Sequence, residues 1–200
     1  MYFHTPDWEM SLFRWINDTW RNPVFDLILP ALSATPFLWA LAIGAAILAI
    51  HRVQAPLALI LGLSMVVGAS DLACSFIKDG SQRQRPYHYL SSTWYLDGDT
   101  WKQRPVEFMP STSSRSSYPS AHAANSVAAV WIFRAVYRFK AIWFVPLLIG
   151  LSRVYLGKHF PMDIVAGGLI GLAVAVALQP IWLTFFNRVR SRWIRYRLRR

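Results

Sequence analysis

The chain lacks the residues on which several protein classes depend. Its single cysteine, Cys74, excludes an internal disulfide and lies in an apolar segment, where packing is a better explanation than redox chemistry. Neither HExxH nor a GxxxxGKS or GxxxxGKT motif occurs, so the sequence has no zinc-protease or P-loop signature. Charged residues interrupt any apolar core within the first twenty positions, so we expect no cleavable signal peptide.

Acidic residues are also few, and basic residues are in large excess. The sequence has 10 Asp and Glu against 21 Lys and Arg, which gives a formal net charge of +11. Such a charge can indicate a nucleic-acid partner, but here the basic residues cluster at the ends of apolar segments rather than along one soluble face. We therefore predict contact with membrane lipids and no nucleic-acid partner.

In place of charge, the sequence has five long segments that are almost uncharged. Hydrophobic residues make up 54% of the chain, and some segments approach the ~20 residues that cross a bilayer as a helix. A soluble helical protein of 200 residues has too little interior to bury five such segments on all sides. The predicted fold class is therefore all-α, with residues 1–200 forming one integral membrane bundle of five to six transmembrane helices. The segments are 37–50, 56–77, 123–133, 142–155 and 164–186.

The N-terminal region, residues 1–34, is predicted to lie at the membrane interface. Four apolar residues recur every four positions with polar residues between them, which is typical of an amphipathic helix over 8–21. The following segment, 23–34, is apolar but too short to span alone, so it is either half-inserted or part of a sixth crossing. The four apolar residues are Trp8, Leu12, Ile16 and Trp20.

Two polar stretches complete the predicted organisation. The 40-residue loop 79–118 is long for a compact domain, and its aromatic residues favour a packed cap over a flexible linker. The tail 188–200 has seven arginines among aromatic and apolar residues, which suits a helix on anionic headgroups. A plain stop-transfer anchor explains the tail equally well. The aromatic residues of the loop are Trp94, Tyr95, Trp101 and Phe108.

Alternating crossings of the bilayer bring distant polar residues to one membrane face. Segment 56–77 ends at this face and segment 123–133 begins there; segment 142–155 ends at the same face and segment 164–186 begins there. Residues far apart in sequence therefore converge. The opposite face has more short-loop basic residues, and the positive-inside rule makes that face cytoplasmic and the cluster outward-facing. In a bacterium this corresponds to the inner membrane, with the cluster on the periplasmic or external side. The predicted cluster consists of Lys78, Arg85, Ser120, His122, Arg153, His159 and Asp163.

The cations of this cluster suit a phosphate group. Guanidinium groups, here those of Arg85 and Arg153, give paired hydrogen bonds to phosphate oxygens, and Lys78 adds a point charge. Ser120 follows Pro119 at a predicted helix start, where free N–H groups form a further anion site. The sequence therefore predicts an oxyanion site at the membrane edge.

The two histidines of the cluster are suited to different steps. His159 lies four residues before Asp163, so the carboxylate can hold one ring nitrogen and leave the other basic, which makes His159 the candidate nucleophile. His122 has no acidic residue nearby in sequence and is better suited to protonating a leaving group.

The pattern of these residues resembles the three-part signature of the type 2 phosphatidic acid phosphatase (PAP2) superfamily of membrane lipid phosphatases. The resemblance implies a helical bundle and a metal-independent phosphatase without a cofactor that forms a phosphohistidine intermediate. It also implies that His159 attacks phosphorus while Asp163 orients it, that His122 is the acid, and that Lys78, Arg85, Ser120 and Arg153 hold the phosphoryl oxygens. The three parts are Lys78-x6-Arg85-Pro86, Tyr118-Pro119-Ser120-Ala121-His122 and Ser152-Arg153-x5-His159-x3-Asp163.

Two positions carry separate predictions. The family usually has glycine where this chain has Ala121, and the added methyl group puts substrate preference in doubt more than reaction type. Asp71 lies seven residues before Lys78 on the same helical face, and we predict that it orients Lys78 or a neighbouring helix.

The leading functional prediction is removal of phosphate from a lipid phosphate or diphosphate at the outer leaflet, with undecaprenyl diphosphate first. Phosphatidylglycerol phosphate, phosphatidic acid and the 1-phosphate of lipid A stay open as substrates. A vanadium haloperoxidase-like enzyme is disfavoured because those proteins are soluble. A catalytically silent binding protein is disfavoured because such a relative is expected to lose His159 or Arg153. A GxxxG pair, Gly167 and Gly171, predicts close helix packing within the bundle or in a homodimer.

Overall fold

The computed structural model describes residues 4–52, 55–110, 116–137 and 139–197. Parts of the predicted loop (111–115) and tail (198–200) lie outside these residues. A π-helical turn follows α1 at Trp15–Thr19, and a 3₁₀ turn precedes α7 at Lys140–Trp143. The helices are α1 (Asp7–Arg14), α2 (Pro23–Leu32), α3 (Thr35–Arg52), α4 (Pro56–Ser81), α5 (Pro86–Tyr89), α6 (Ala121–Val136), α7 (Phe144–Tyr155) and α8 (Pro161–Arg197); the strands are β1 (Trp94–Asp97) and β2 (Thr100–Gln103).

All five nearly uncharged segments are helical: four lie in α3, α4, α6 and α8, and the segment 142–155 forms the end of the 3₁₀ turn and α7. Within the described residues, two helical stretches are long and apolar enough to cross a membrane, Pro56–Tyr89 and Pro161–Arg195. The bent pair α2 and α3, with an angle of 58°, makes a third if it counts as one span. The protein is therefore mostly helical with two to three apolar spans, and the count of five to six crossings stays a prediction.

The expectation of an all-α fold is wrong in one place, because the predicted loop contains a two-stranded antiparallel sheet. Asp97 pairs with Thr100, which leaves a two-residue turn at Gly98 and Asp99. Gly98 has φ of +60°, a conformation that glycine adopts at low cost, and glycine at the first of two turn positions is typical of a type II′ hairpin turn. The hairpin packs on the bundle: the ring centroids of Trp101 and Tyr155 are 5.8 Å apart. This packing agrees with the prediction of a cap.

Helix α1 is amphipathic, but its buried face is not the predicted one. Trp8 is 56% exposed and Leu12 36% exposed, so part of the predicted apolar stripe faces outward. Phe13 and the carboxylate of Glu9 are buried against the bundle instead. The helix therefore presents apolar side chains to its surroundings and directs an acidic one inward. Its predicted place at the membrane interface stays a prediction.

Helices α6 and α8 pack closely through the two glycines of the GxxxG pair. A Cβ atom at Gly167 would overlap the carbonyl oxygen of Ser120, and one at Gly171 would overlap that of Ala124. The close packing predicted from this motif is thus made inside one chain. A homodimer remains a prediction, with no surface assigned to it.

The end of the bundle opposite the predicted cluster contains the last residues of α3 and α6 and the basic tail. The Tyr137 hydroxyl, just after α6, donates a hydrogen bond to the carbonyl of Leu48 near the end of α3 (3.3 Å). From Arg188 to Arg197 the basic tail continues α8 without a break. Contact of the tail with anionic lipid stays a prediction. Arg138, one of the short-loop basic residues that we predict on the cytoplasmic face, lies outside the described residues.

Candidate active site

Hydrogen bonds of the backbone bring the three sequence motifs together. The N–H of Ser117 donates to the carbonyl of Arg83 (2.7 Å), which joins the second motif to the first. The N–H of Tyr87 donates to the carbonyl of Gly157 (3.0 Å), and the N–H of Ser120 to that of Asp163 (2.9 Å). The convergence predicted from alternating crossings is therefore present in the fold.

His159 and Asp163 form a buried pair between α7 and α8. His159 Nδ1 lies 3.5 Å from Asp163 Oδ2, close enough for an ion pair but longer than a normal N–H···O hydrogen bond. Catalytic hydrogen bonds are often this long before substrate binds. The same Oδ2 accepts a hydrogen bond from the N–H of Phe160 (2.8 Å), which fixes the carboxylate beside the ring.

The protonation state of His159 suits a nucleophile. Burial lowers the pKa of His159 to about 4, although its contact with Asp163 raises it, and the nearby Arg153 cation lowers it further. The imidazole is therefore neutral at pH 7. A neutral ring has a lone pair available for attack, whereas an imidazolium has none.

Arg85 and Arg153 supply unused hydrogen-bond donors at this site. The Nε atoms of both are buried and have no hydrogen-bond partner among the described residues. Buried donors are almost always paired, and unpaired ones are a reason to look for a ligand. Arg153 is 7% exposed, and each guanidinium can present a planar pair of N–H groups to an oxyanion.

Ser120 and His122 lie where α6 begins. Ser120 is fully buried and caps the helix, because its Oγ accepts a hydrogen bond from the N–H of Ala123 (3.4 Å). The helix starts at Ala121, so Ser120 precedes the first turn. His122 is half-buried, within electrostatic reach of Arg153, His159 and Lys78.

Asp71 contacts the neighbouring helix α6. Asn125 Nδ2 donates a hydrogen bond to Asp71 Oδ1 (3.3 Å). Of the two partners predicted for Asp71, this contact is with a neighbouring helix. It links α4 to α6 two turns below Lys78.

The structure adds three residues that sequence reasoning did not assign to the site. Arg83 is buried and bonded to Asp163, with its Nη1 2.6 Å from Oδ1, and Glu9 contacts the same guanidinium. Lys158 is half-buried next to His159, and burial together with Arg153 and Arg85 lowers the pKa of Lys158 to about 8.

Ser152, which is part of the third motif, points away from this cluster. Its hydroxyl donates a hydrogen bond to the carbonyl of Leu29 and lies 2.8 Å from Ser33 Oγ. Ser152 therefore anchors α7 to α2.

Among the residues that the structure describes, no group of three or more His, Cys, Asp or Glu side chains could hold a metal ion. The site is instead rich in cations. Its anionic groups are already engaged, Asp163 with His159 and Arg83, and Glu9 with Arg83.

Together, the fold and the site define a helical membrane protein with a cationic site around a buried histidine–aspartate pair. The family model of the PAP2 superfamily matches residues 56–189, and the chain belongs to this superfamily. The match covers α4 to most of α8 and leaves α1 to α3 outside it.

Curated relatives are similar over part of their length. The chain is 32% identical over 121 residues to the glucose-6-phosphatase catalytic subunit 1 of Canis lupus familiaris, covering 49% of this chain and 33% of that one. It is 28% identical over 136 residues to the lipid A 4'-phosphatase of Porphyromonas gingivalis, covering 66% and 52%. It is 30% identical over 92 residues to the undecaprenyl-diphosphatase of Sulfolobus acidocaldarius, covering 44% and 37%. The chain thus spans between a third and about half of these relatives.

Two solved structures share the fold over most of the chain. The crystal structure of Aquifex aeolicus LpxE has a TM-score of 0.60 at 23% identity and covers 92% of this chain and 99% of that one. A transmembrane PAP2 type phosphatidylglycerolphosphate phosphatase from Bacillus subtilis also has a TM-score of 0.60, at 20% identity, with 88% and 87% covered. Together with the apolar helices, this fold identifies a membrane protein.

Proposed function

We propose that the protein is a metal-independent phosphatase that hydrolyses a lipid phosphate or diphosphate at the outer leaflet of a bacterial inner membrane. The observation that carries the proposal is the arrangement of buried, unpaired Arg85 and Arg153 donors around a neutral histidine paired with a carboxylate. A cationic pocket binds the phosphoryl group, and a neutral imidazole can attack it. The outward orientation rests on the positive-inside rule applied to the short loops.

In the proposed reaction, the free lone pair of the His159 ring attacks phosphorus and forms a P–N bond. The P–O bond to the leaving group breaks, and His122 donates a proton to the departing oxygen. Lys78, Arg85, Ser120 and Arg153 hold the remaining phosphoryl oxygens. Water then attacks the phosphohistidine, gives a proton back to His122 and releases inorganic phosphate, so the enzyme returns to its first state.

Undecaprenyl diphosphate is the proposed substrate. Support comes from the similarity to an undecaprenyl-diphosphatase and from the number of cations near the site. Phosphatidylglycerol phosphate, phosphatidic acid and lipid A 1-phosphate are the alternatives among lipids. A water-soluble phosphate monoester is a second candidate, because the similarity to the glucose-6-phosphatase subunit reaches 32% identity.

The test is phosphate release by the purified protein in detergent, with EDTA present. The panel is undecaprenyl diphosphate, phosphatidylglycerol phosphate, phosphatidic acid, lipid A 1-phosphate and glucose 6-phosphate. We expect the highest kcat/KM on undecaprenyl diphosphate and no loss of rate on chelation. No release from any compound would overturn the proposed reaction, and loss of activity in EDTA would overturn metal independence. Preference for glucose 6-phosphate would favour the second candidate.

Lys158 is expected to contribute to preference for a diphosphate. It lies within electrostatic reach of His122 and next to His159, so its charge can stabilise the phosphate that leaves when a diphosphate is split. A monophosphate ester has no such charged leaving group. We expect Lys158→Met to lower kcat/KM about tenfold on undecaprenyl diphosphate and by less than about twofold on phosphatidic acid, since one charge-assisted hydrogen bond is lost.

The matched control is Lys102→Met. Lys102 is an exposed lysine of the hairpin whose Nζ lies 2.7 Å from Asp97 Oδ2. Its removal should leave both rates unchanged. An equal loss on both lipids in Lys158→Met would show that Lys158 acts on the transferred phosphoryl group and not on the leaving group.

A further inference from the structure

Helix α1 places a buried carboxylate at the site from outside the region that the family model matches. Glu9 is 1% exposed. Its Oε1 accepts a hydrogen bond from the N–H of Met162 (2.8 Å), and its Oε2 lies 2.7 Å from Arg83 Nη2. Glu9 therefore holds both the first turn of α8 and the Arg83 side chain.

Arg83 connects Glu9 to Asp163. Its Nη1 donates a hydrogen bond to Asp163 Oδ1 (2.6 Å), while Nη2 donates to Glu9 and to Thr5 Oγ1 (3.0 Å). The guanidinium carbon lies 4.3 Å from the centre of the Phe160 ring. Charged side chains are rarely buried unless paired, so this chain of carboxylate, guanidinium and carboxylate is stable only as a complete set.

The two oxygens of Asp163 consequently have separate partners. Oδ1 accepts from Arg83, whereas Oδ2 accepts from the N–H of Phe160 and lies beside His159 Nδ1. These contacts from both sides fix the plane of the carboxylate. A carboxylate without Arg83 could rotate and would lose one of the partners that stabilise its negative charge.

We propose that Glu9 and Arg83 are positioning residues for catalysis: Glu9 anchors Arg83, and Arg83 holds Asp163 ionised and aimed at His159. The inference rests on the proposed phosphatase reaction, in which His159 gains positive charge as it attacks phosphorus. It makes the N-terminal helix part of the catalytic apparatus, although the family model begins at residue 56.

The pH dependence of kcat/KM, which reports the ionising groups of the free enzyme, separates positioning from a purely structural role. In the wild type, the acidic limb should lie near the pKa of His159, about 4, because the ring must be neutral to attack. In Arg83→Gln, Asp163 is left without the cation on its Oδ1, so this carboxylate takes up a proton more readily and no longer holds the His159 ring. We expect kcat to fall about 100-fold, the loss for a catalytic group misplaced by about an ångström, and the acidic limb to move to higher pH by more than one unit.

Among the described residues, the charged groups around Asp163 and His159 come from several elements. Arg83 comes from the segment after α4, Glu9 from α1 across Arg83, and His159 from the turn before α8, while Arg153 of α7 and Arg85 before α5 lie near His159. Helix α6 contributes the uncharged N–H of Ser120 to the backbone of Asp163.

Two conservative variants keep the test valid if Arg83→Gln folds poorly. Arg83→Lys retains the charge but not the two-sided geometry, so it should restore the acidic limb and only part of kcat. Glu9→Gln keeps an acceptor for Met162 but loses the charge, so kcat should fall about tenfold with KM little changed and the limb unmoved.

The control is Arg21→Gln in the same N-terminal region. Arg21 Nη2 lies 2.8 Å from Asp26 Oδ2, and its guanidinium stacks on Trp101 (3.9 Å to the ring centre), with no contact to Asp163. This variant should lower the melting temperature and leave the pH profile of folded enzyme unchanged. If Arg83→Gln behaved in the same way, the positioning role would be wrong and the network only structural.

A second measurement separates this inference from the proposed function. The imidazole ¹⁵N shifts of His159 report its tautomer without any substrate. In the wild type they should indicate a proton on Nδ1, and in Arg83→Gln they should move toward the mixed values of free histidine. Unchanged shifts would overturn the inference even if the enzyme is active. Changed shifts with no phosphate release by the wild type would overturn the proposed function and leave the network supported.

Discussion

We expect His159→Ala to lose phosphate release from every lipid substrate by about 10⁴-fold or more, as is typical when a nucleophile is removed. The neighbouring cations would remain, so the variant should still bind substrate. The wild type, mixed with substrate labelled in the transferred phosphate and quenched with denaturant at alkaline pH, where the P–N bond of phosphohistidine is stable, should trap label on histidine, and the variant should trap none. Equal rates in the two proteins would exclude His159 as the nucleophile.

His122→Ala provides the contrast, because a general acid matters only when the leaving group needs a proton. The alkoxide of phosphatidic acid needs one, whereas an aryl phosphate has a leaving group that departs without it. We expect a loss of about 10²–10⁴-fold on phosphatidic acid and a much smaller loss on the aryl phosphate. The same loss on both would instead place His122 in phosphate binding.

Nearly uncharged segments and motif spacing were sufficient to predict a mostly helical fold and the convergence of the site. Helices that cross and return bring Lys78, Ser120 and His159 to one end whatever their exact packing. The structure brings the three motifs together, as expected, while the roles of the individual residues stay predictions until variants are measured. The number of crossings also stays a prediction, because α6 and α7 are 16 and 12 residues long.

Glu9 and Arg83 were not assigned to the site from the sequence, and the reason differs between the two residues. The apolar repeat drawn through Trp8, Leu12 and Ile16 made Glu9 part of the polar face. Glu9 instead shares the buried face with Phe13 and Ile16, at positions i, i+4 and i+7. An acidic residue on a buried stripe is a signal that could have been found, but its partner Arg83 is specified only by tertiary contact.

The hairpin was missed for a related reason. Its position depends on Asn17, whose Nδ2 donates to the carbonyls of Tyr155 (2.7 Å) and Trp94 (2.9 Å) while its Oδ1 accepts from the N–H of Trp94 (2.9 Å). One buried amide thus joins the N-terminal region, the hairpin and α7. The sequence shows only an asparagine in a polar stretch. Its structural role depends on the three backbone groups with which it forms hydrogen bonds, and these are set by the tertiary fold.

Gly167→Ala is expected to disrupt the site by adding a single methyl group between α8 and the start of α6. The new Cβ would overlap the carbonyl oxygen of Ser120, a backbone atom that cannot rotate away. Helices α6 and α8 would have to separate beside the Ser120 N–H bond to Asp163, which displaces the proposed phosphate site. Overpacking of this kind lowers the free energy of unfolding by about 1–3 kcal/mol, and we expect kcat/KM to fall about 100-fold.

Gly168→Ala is the matched control, since it makes the same change one residue along the same helix. Its Cβ would lie 3.6 Å from Val127 Cγ2, an ordinary van der Waals contact. Alanine is also favoured over glycine in a helix by about 0.5–1 kcal/mol, so stability should be equal or slightly higher and activity within about twofold. Thermal unfolding and phosphate release of the two variants show whether the site is disturbed by a Cβ at Gly167 alone.

If both variants lost activity equally, this stretch of α8 would be intolerant of any Cβ. If neither lost activity, the contact with Ser120 would not constrain the site. Only a loss confined to Gly167→Ala would show that the start of α6 must lie against α8 for the site to work.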